Sequence, residues 1–143
     1  MTIPKWLEIA RKEIGVKEVP GEGNNPRIIE YAATTTLAAK QDSVAWCSSF
    51  VNWCMKQAGI PGTGSASARS WLEWGEPIVI PKLGCVVVFK RGLPPSGHVA
   101  FCDHEDISNG IIRVVNGNMR DMVQISRLSV AGVIGYRWPK DVL

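Results

Sequence analysis

Two short segments about fifty residues apart hold the side chains best suited to covalent chemistry. Ala45-Trp46-Cys47-Ser48-Ser49-Phe50-Val51-Asn52-Trp53-Cys54 reads as a helix with a cysteine in its first turn, and Gly97-His98-Val99-Ala100-Phe101-Cys102 reads as a strand that opens on a histidine. A thiol at a helix N-terminus meets the positive end of the helix dipole and free backbone N–H groups, which favours the thiolate. An imidazole at the edge of a neighbouring strand can take the thiol proton, and the two together are the minimum machinery of a cysteine nucleophile. A catalytic imidazole also needs a partner that orients it through its other nitrogen. The run Val115-Asn116-Gly117-Asn118-Met119 offers two amides. If its strand pairs as a hairpin with the His98 strand, Asn118 or Asn116 returns to the level of His98. The competing reading is a plain turn, since Asn-Gly is a strong turn signal.

The elements that must position these groups follow from local signals. Residues Pro4 to Ile14 read as an amphipathic helix with proline in its first turn and Gly15 closing it. After a loop rich in Gly, Pro and Asn, Asn25-Pro26 reads as an N-cap and first helical position, opening a helix over Arg27 to Ala33. A third helix is predicted from Ala45 to Ala58, ended by Gly59, with Cys47, Phe50, Val51, Cys54 and Ala58 along one apolar stripe. That stripe turns Cys47 inward at the end nearest the loop. A short helix is expected over Ser67 to Trp74. From Pro81 on, β-branched segments separated by turn residues predict five strands: Cys85 to Arg91, His98 to Glu105, Ile111 to Val115, Met122 to Ser126 and Val133 to Trp138. Helices first and strands second argue for an α+β domain, with the helices on one antiparallel sheet. The 143 residues suffice for a single domain, 1–143, with a real core.

Each candidate has a bland alternative. Free cysteine is among the most buried residue types, and Cys54, Cys85 and Cys102 are read that way. Cys47 and Cys54 lie about 10 Å apart along a helix, too far for a disulfide. Cys85 and Cys102 can neighbour each other in the sheet, and reduced thiols are the expectation for all four. His98, Cys102 and His104 share one strand parity, which raises a zinc alternative, but no Cys-x-x-Cys unit or helical His pair supports it. His104, in an acidic stretch, reads as a surface residue. Gly97 is expected to let a substrate or the Cys47 helix come close. Most of the six tryptophans should be core. Trp46, and Trp71 or Trp74, are candidate walls of a substrate groove.

Composition narrows the function classes. A net charge of +3, with no Lys/Arg cluster longer than two residues, suits an anionic polymer such as bacterial cell wall and not a nucleic-acid binder. The first residues lack the apolar core of a signal peptide, and the longest aliphatic run, around Cys85 to Phe89, is too short to span a membrane.

The three motifs together, Ala45-Trp46-Cys47-Ser48-Ser49-Phe50-Val51, Gly97-His98-Val99 and Asn116-Gly117-Asn118, resemble the papain-like bacterial cell-wall hydrolases. The likeness is greatest to the NlpC-type and CHAP (cysteine- and histidine-dependent amidohydrolase/peptidase) group. Gly15 to Gly21, Asn25 to Ile28, Ala68 to Leu72 and Gly135 to Pro139 fit a small phage and bacterial subfamily, so the resemblance covers nearly the whole chain. It implies a papain-like fold, Cys47 as nucleophile, His98 as base and Asn118 as third member, with Asn116 standing where many CHAP proteins have Glu. Asp42 also fits the subfamily pattern, as a helix cap or a residue shaping the site. The implied substrate is peptidoglycan, cut at a stem-peptide amide bond (endopeptidase or N-acetylmuramoyl-L-alanine amidase) by a monomer needing no metal or cofactor. An enzyme made in the cytoplasm without a signal peptide would reach the wall as an endolysin freed by a holin partner, a virion lysin or a delivered effector with an immunity partner. The alternative is an inactive family member that binds wall fragments or a partner.

Overall fold

The computed structural model describes residues 2–19, 24–36, 46–94, 96–104 and 107–142. Helix α1 spans Lys5–Lys12, with Glu8 in its first turn and Arg11 and Lys12 in its last, each sign matching the helix dipole. Its inward face is Trp6, Leu7 and Ala10. Helix α2 spans Pro26–Ala32, and the Asn25 side chain caps it by accepting from the Arg27 N–H at 2.9 Å. Helix α3, Cys47–Gln57, is buried along most of its length, including Ser48, Ser49 and Asn52. A 3₁₀ helix follows over Ala68–Glu73.

Six strands are found among the described residues: β1 Glu76–Ile78, β2 Val86–Lys90, β3 Gly97–Cys102, β4 Ile111–Met119, β5 Met122–Ser129 and β6 Val133–Trp138. They form one antiparallel sheet in the order β1-β6-β2-β3-β4-β5. Helix α3 lies against β3 and β4, while α1 and α2 pack on α3. The helices thus precede and cover an antiparallel sheet, the α+β arrangement expected from the sequence. The extra strand, β1, was hidden by Pro77. It sits at the sheet edge beside β6, where a proline's missing N–H costs no ladder bond.

Buried polar groups are paired in ways that tie the helices to the sheet. The Asp103 carboxylate, 2% exposed, accepts from Arg11 Nε at 2.7 Å and Arg113 Nε at 3.1 Å, joining α1 to the strand ends. Tyr31 Oη donates to Glu13 Oε1 at 2.7 Å. The Trp71 indole donates to Ser48 Oγ at 2.9 Å, and Ser48 Oγ donates to the Ser65 carbonyl at 2.7 Å, fixing the 3₁₀ helix and its loop to the first turn of α3. Among the described residues no helix is long and apolar enough to cross a membrane.

The β4–β5 hairpin corrects the sequence reading at the position that matters. The strand runs past Val115 to Met119, and Asn116 pairs with Gln124 inside the ladder. The turn falls at Arg120 and Asp121, whose φ angles of 51° and 64° are left-handed, and not at Asn116-Gly117.

Candidate active site

Cys47 is the first residue of α3, with Trp46 in the capping position. The thiol end of the residue lies toward Val99 of β3, and the backbone N–H groups of Val99, Ser48 and Cys47 itself favour its thiolate. The side chain is 8% exposed, whereas Cys54, Cys85 and Cys102 are wholly buried. All four are free thiols. Burial is the largest influence on Cys47 and raises its pKa, while those N–H groups and the Arg91 charge act in the opposite direction. Burial thus opposes the thiolate that the helix terminus favours.

His98 stands next to Val99 in β3 and is 2% exposed. Its Nε2 lies 2.7 Å from Asn116 Oδ1. The remaining bonds of Asn116 decide which atom does what. Its Nδ2 donates to the Gln124 carbonyl at 2.9 Å and to Ser126 Oγ at 3.1 Å. With both acceptors on the amide nitrogen, the oxygen must face the histidine, so Nε2 carries the proton and donates. Nδ1 is then an unprotonated lone pair, and it is the buried side-chain nitrogen or oxygen without a partner among the described residues. Burial lowers the imidazole pKa to about 4, opposed by the Asn116 bond and reinforced by Arg91. Burial therefore favours the neutral thiol of Cys47 and the neutral imidazole of His98, the latter with a free Nδ1.

Asn118 is not the partner of His98, contrary to the expectation from the resemblance. The reason lies in the strand pairing. The β3–β4 register matches Phe101 with Val115 and Cys102 with Val114. Continued without a break, it would set Asn118 opposite His98. The pairing stops at Phe101, and β4 then shifts register against β5 between Asn116 and Met119, with Asn118 at φ 60°. The strands part at the His98 end, and Asn116 reaches the imidazole instead.

Gly117 explains how α3 comes so close to this point. A Cβ there would lie 2.6 Å from Trp46 Cζ3 and 2.9 Å from Phe50 Cβ, so only glycine admits the helix. Gly97 faces other neighbours than expected: a Cβ there would meet the Phe89 carbonyl oxygen at 3.1 Å and Arg69 Cγ at 3.2 Å, so the 3₁₀ helix approaches it and not α3.

The two tryptophans expected to line a groove are core residues. Trp46 is 1% exposed, donates from Nε1 to Glu18 Oε2 at 3.1 Å and packs 5.8 Å from the Tyr31 ring. Trp71 is fully buried on Ser48 and meets Trp74 edge-on at 4.8 Å. Both anchor the first turn of α3 from behind. Asp42 lies outside the described residues. His104 is exposed and its carbonyl accepts from the Cys102 thiol at 2.8 Å. Among the described residues no group of three His, Cys, Asp or Glu side chains could hold a metal ion. A cavity of about 570 Å³ lies between Ile3, Trp6, Lys82 and Trp138, at the opposite end of β2 from His98.

Sequence reasoning passed over Ser126, Gln124, Glu18 and Arg91. Ser126 and Gln124 carry no chemical signature; only the β4–β5 register brings them to Asn116.

A helix-borne thiol, a strand-borne imidazole and an amide on the next strand define a papain-like constellation on an α+β fold. Residues 39–118 match the CHAP domain, and the chain belongs to that family. The solved structure of the endolysin LysIME-EF1 superposes with a TM-score of 0.63 at 15% identity, covering 97% of this chain and 65% of the endolysin. A lipoprotein-like protein of the NLP/P60 family from Staphylococcus aureus subsp. aureus Mu50 superposes with a TM-score of 0.57 at 16% identity, covering 94% of this chain and 40% of that one. The chain thus spans a little under two thirds of the first and two fifths of the second. No curated protein matches it in sequence.

Proposed function

We propose that this protein is a peptidoglycan hydrolase that cuts an amide bond of the stem peptide through a cysteine nucleophile. One observation carries the reading. The Nδ1 of His98 is unpartnered and unprotonated, held so by Asn116 on Nε2, and His98 adjoins Val99, whose backbone N–H acts on the Cys47 thiol. Membership of the CHAP domain family supplies the substrate class.

In this reading Cys47 Sγ attacks the scissile carbonyl carbon while its proton passes to His98 Nδ1. The neutral resting pair makes the proton transfer part of the attack, without a standing ion pair. The free N–H groups at the start of α3, Cys47's own included, stabilise the oxyanion of the tetrahedral intermediate. The imidazolium gives its proton to the leaving amine, a thioester remains on Sγ, and water activated by Nδ1 hydrolyses it to the free acid. Asn116 keeps the ring plane and tautomer through both halves. Its neutral amide stabilises the imidazolium less than a carboxylate would.

Digestion of purified peptidoglycan, with mass spectrometry of the fragments, tests this. Endopeptidase action releases new peptide amines within the stem, and amidase action frees L-Ala from the muramoyl lactyl group. Wall left intact by the wild type, with fragments bound without turnover, would replace the hydrolase by a wall-binding module.

A further inference from the structure

We propose that Arg91 forms a carboxylate-binding subsite at the lip of the Cys47–His98 site, selecting peptides that carry a free carboxylate beside the scissile amide. This deepens the hydrolase reading above and rests on it for the identity of the amide.

The placement follows from the β2–β3 register. Phe89 pairs with His98 and Lys90 with Gly97. Directly opposed residues point to the same face of a sheet, as do residues two apart along a strand. The Phe89 ring accordingly lies 6.1 Å from the imidazole. Arg91 is the next position on that face, at the first residue beyond β2, where the hairpin leaves the sheet above His98. The hairpin is anchored at its other side, since Arg69 Nε donates to the Ser96 carbonyl at 2.6 Å. An independent sign agrees with the register: the Arg91 charge acts on both Cys47 and His98.

The guanidinium is exposed and makes no ion pair among the described residues. Other arginines near the core are engaged: Arg11 and Arg113 on Asp103, Arg27 on Glu13 and Glu30, Arg69 on the Ser96 carbonyl. Arg91 instead presents a planar fork of donors to solvent beside the nucleophile. That fork matches a carboxylate in two parallel hydrogen bonds, and carboxylate is the anion a stem peptide carries. Stem peptides offer it where a γ-linked glutamate leaves its α-carboxylate free, and some carry that group as an amide. The subsite would distinguish the two.

Binding can be read without turnover. The Cys47→Ala protein is titrated by calorimetry with two synthetic stem peptides, one with the glutamate α-carboxylate free and one with it amidated. The titration is repeated in Cys47→Ala/Arg91→Gln and Cys47→Ala/Arg91→Lys. A charge-assisted pair predicts that amidation weakens binding about 10-fold or more when Arg91 is present. That preference should collapse to about 2-fold in the glutamine variant, with the lysine variant between, because lysine keeps the charge and loses the fork. Equal binding of the two peptides to Cys47→Ala overturns the proposal. So does a preference that survives Arg91→Gln, or binding of neither peptide. Failure of the hydrolase reading appears elsewhere, as peptidoglycan left uncut by the wild type, so the two failures are separable.

Discussion

Acidification should charge His98 at a cost that can be worked from the structure. The imidazole titrates near 6.5 in an unfolded chain and near 4 in the fold, with burial the main cause, Asn116 opposing it and Arg91 adding to it. Between those values the unfolded state binds a proton that the folded state does not, so stability rises with pH across that window. The full contribution is present above pH 6.5 and is lost as pH falls toward 4 and below. Linkage puts the loss at about 2 kcal/mol by pH 5 and about 3 kcal/mol by pH 4. Urea unfolding followed by tryptophan fluorescence, at pH 7, 5 and 4, measures this in the wild type and in His98→Gln. Carboxylates titrate in the same range in both proteins, so the difference between the two slopes isolates His98. A proton NMR titration of the imidazole C2–H supplies the pKa directly, without any variant. An NMR midpoint near 6.5 would refute the reasoning, as would identical pH slopes for the two proteins. The same titration sets the acid limb of kcat/KM, since protonated Nδ1 cannot accept from Cys47.

Three further outcomes are expected. Asn116→Ala should lower kcat about 10²-fold or more with little change in KM, because it frees the imidazole tautomer and leaves Nε2–H buried without a partner; Asn118→Ala should keep most of the turnover, and the reverse ranking would restore Asn118 as the orienting residue. Iodoacetamide should label Cys47 before Cys54, Cys85 and Cys102 in the native protein, since Cys47 alone of the four has exposed surface, and Cys47→Ala should abolish hydrolysis while keeping the native circular dichroism. Gly117→Ala should cost about 1–3 kcal/mol by forcing a methyl group into Trp46 and Phe50, and it should reduce activity further by displacing the first turn of α3; unchanged stability would show that the close approach is relieved elsewhere.

The sequence by itself marked most of the elements and the two candidate reactive groups, though not the edge strand β1 or the full length of β4. A cysteine at the head of an apolar stripe and a histidine at the mouth of a strand are local facts, fixed by spacing and by flanking Gly and Pro. The order of helices before strands likewise fixed the α+β class. What remained undetermined depends on register and depth. Whether Asn116 or Asn118 meets His98 turns on where the β3–β4 ladder stops, and a strand pair can end its pairing without any residue announcing it. Trp46 and Trp71 look alike as groove walls or as core until the sheet arrives to cover them; both are then sealed behind α3, on Glu18 and Ser48. The resting charge state was also tertiary. The helix dipole is legible from sequence, but the desolvation that opposes it comes from burial of the thiol in the folded chain. Ser126 and Gln124 hold the amide that holds the imidazole, and neither is recognisable before the β4–β5 hairpin brings them across from Asn116.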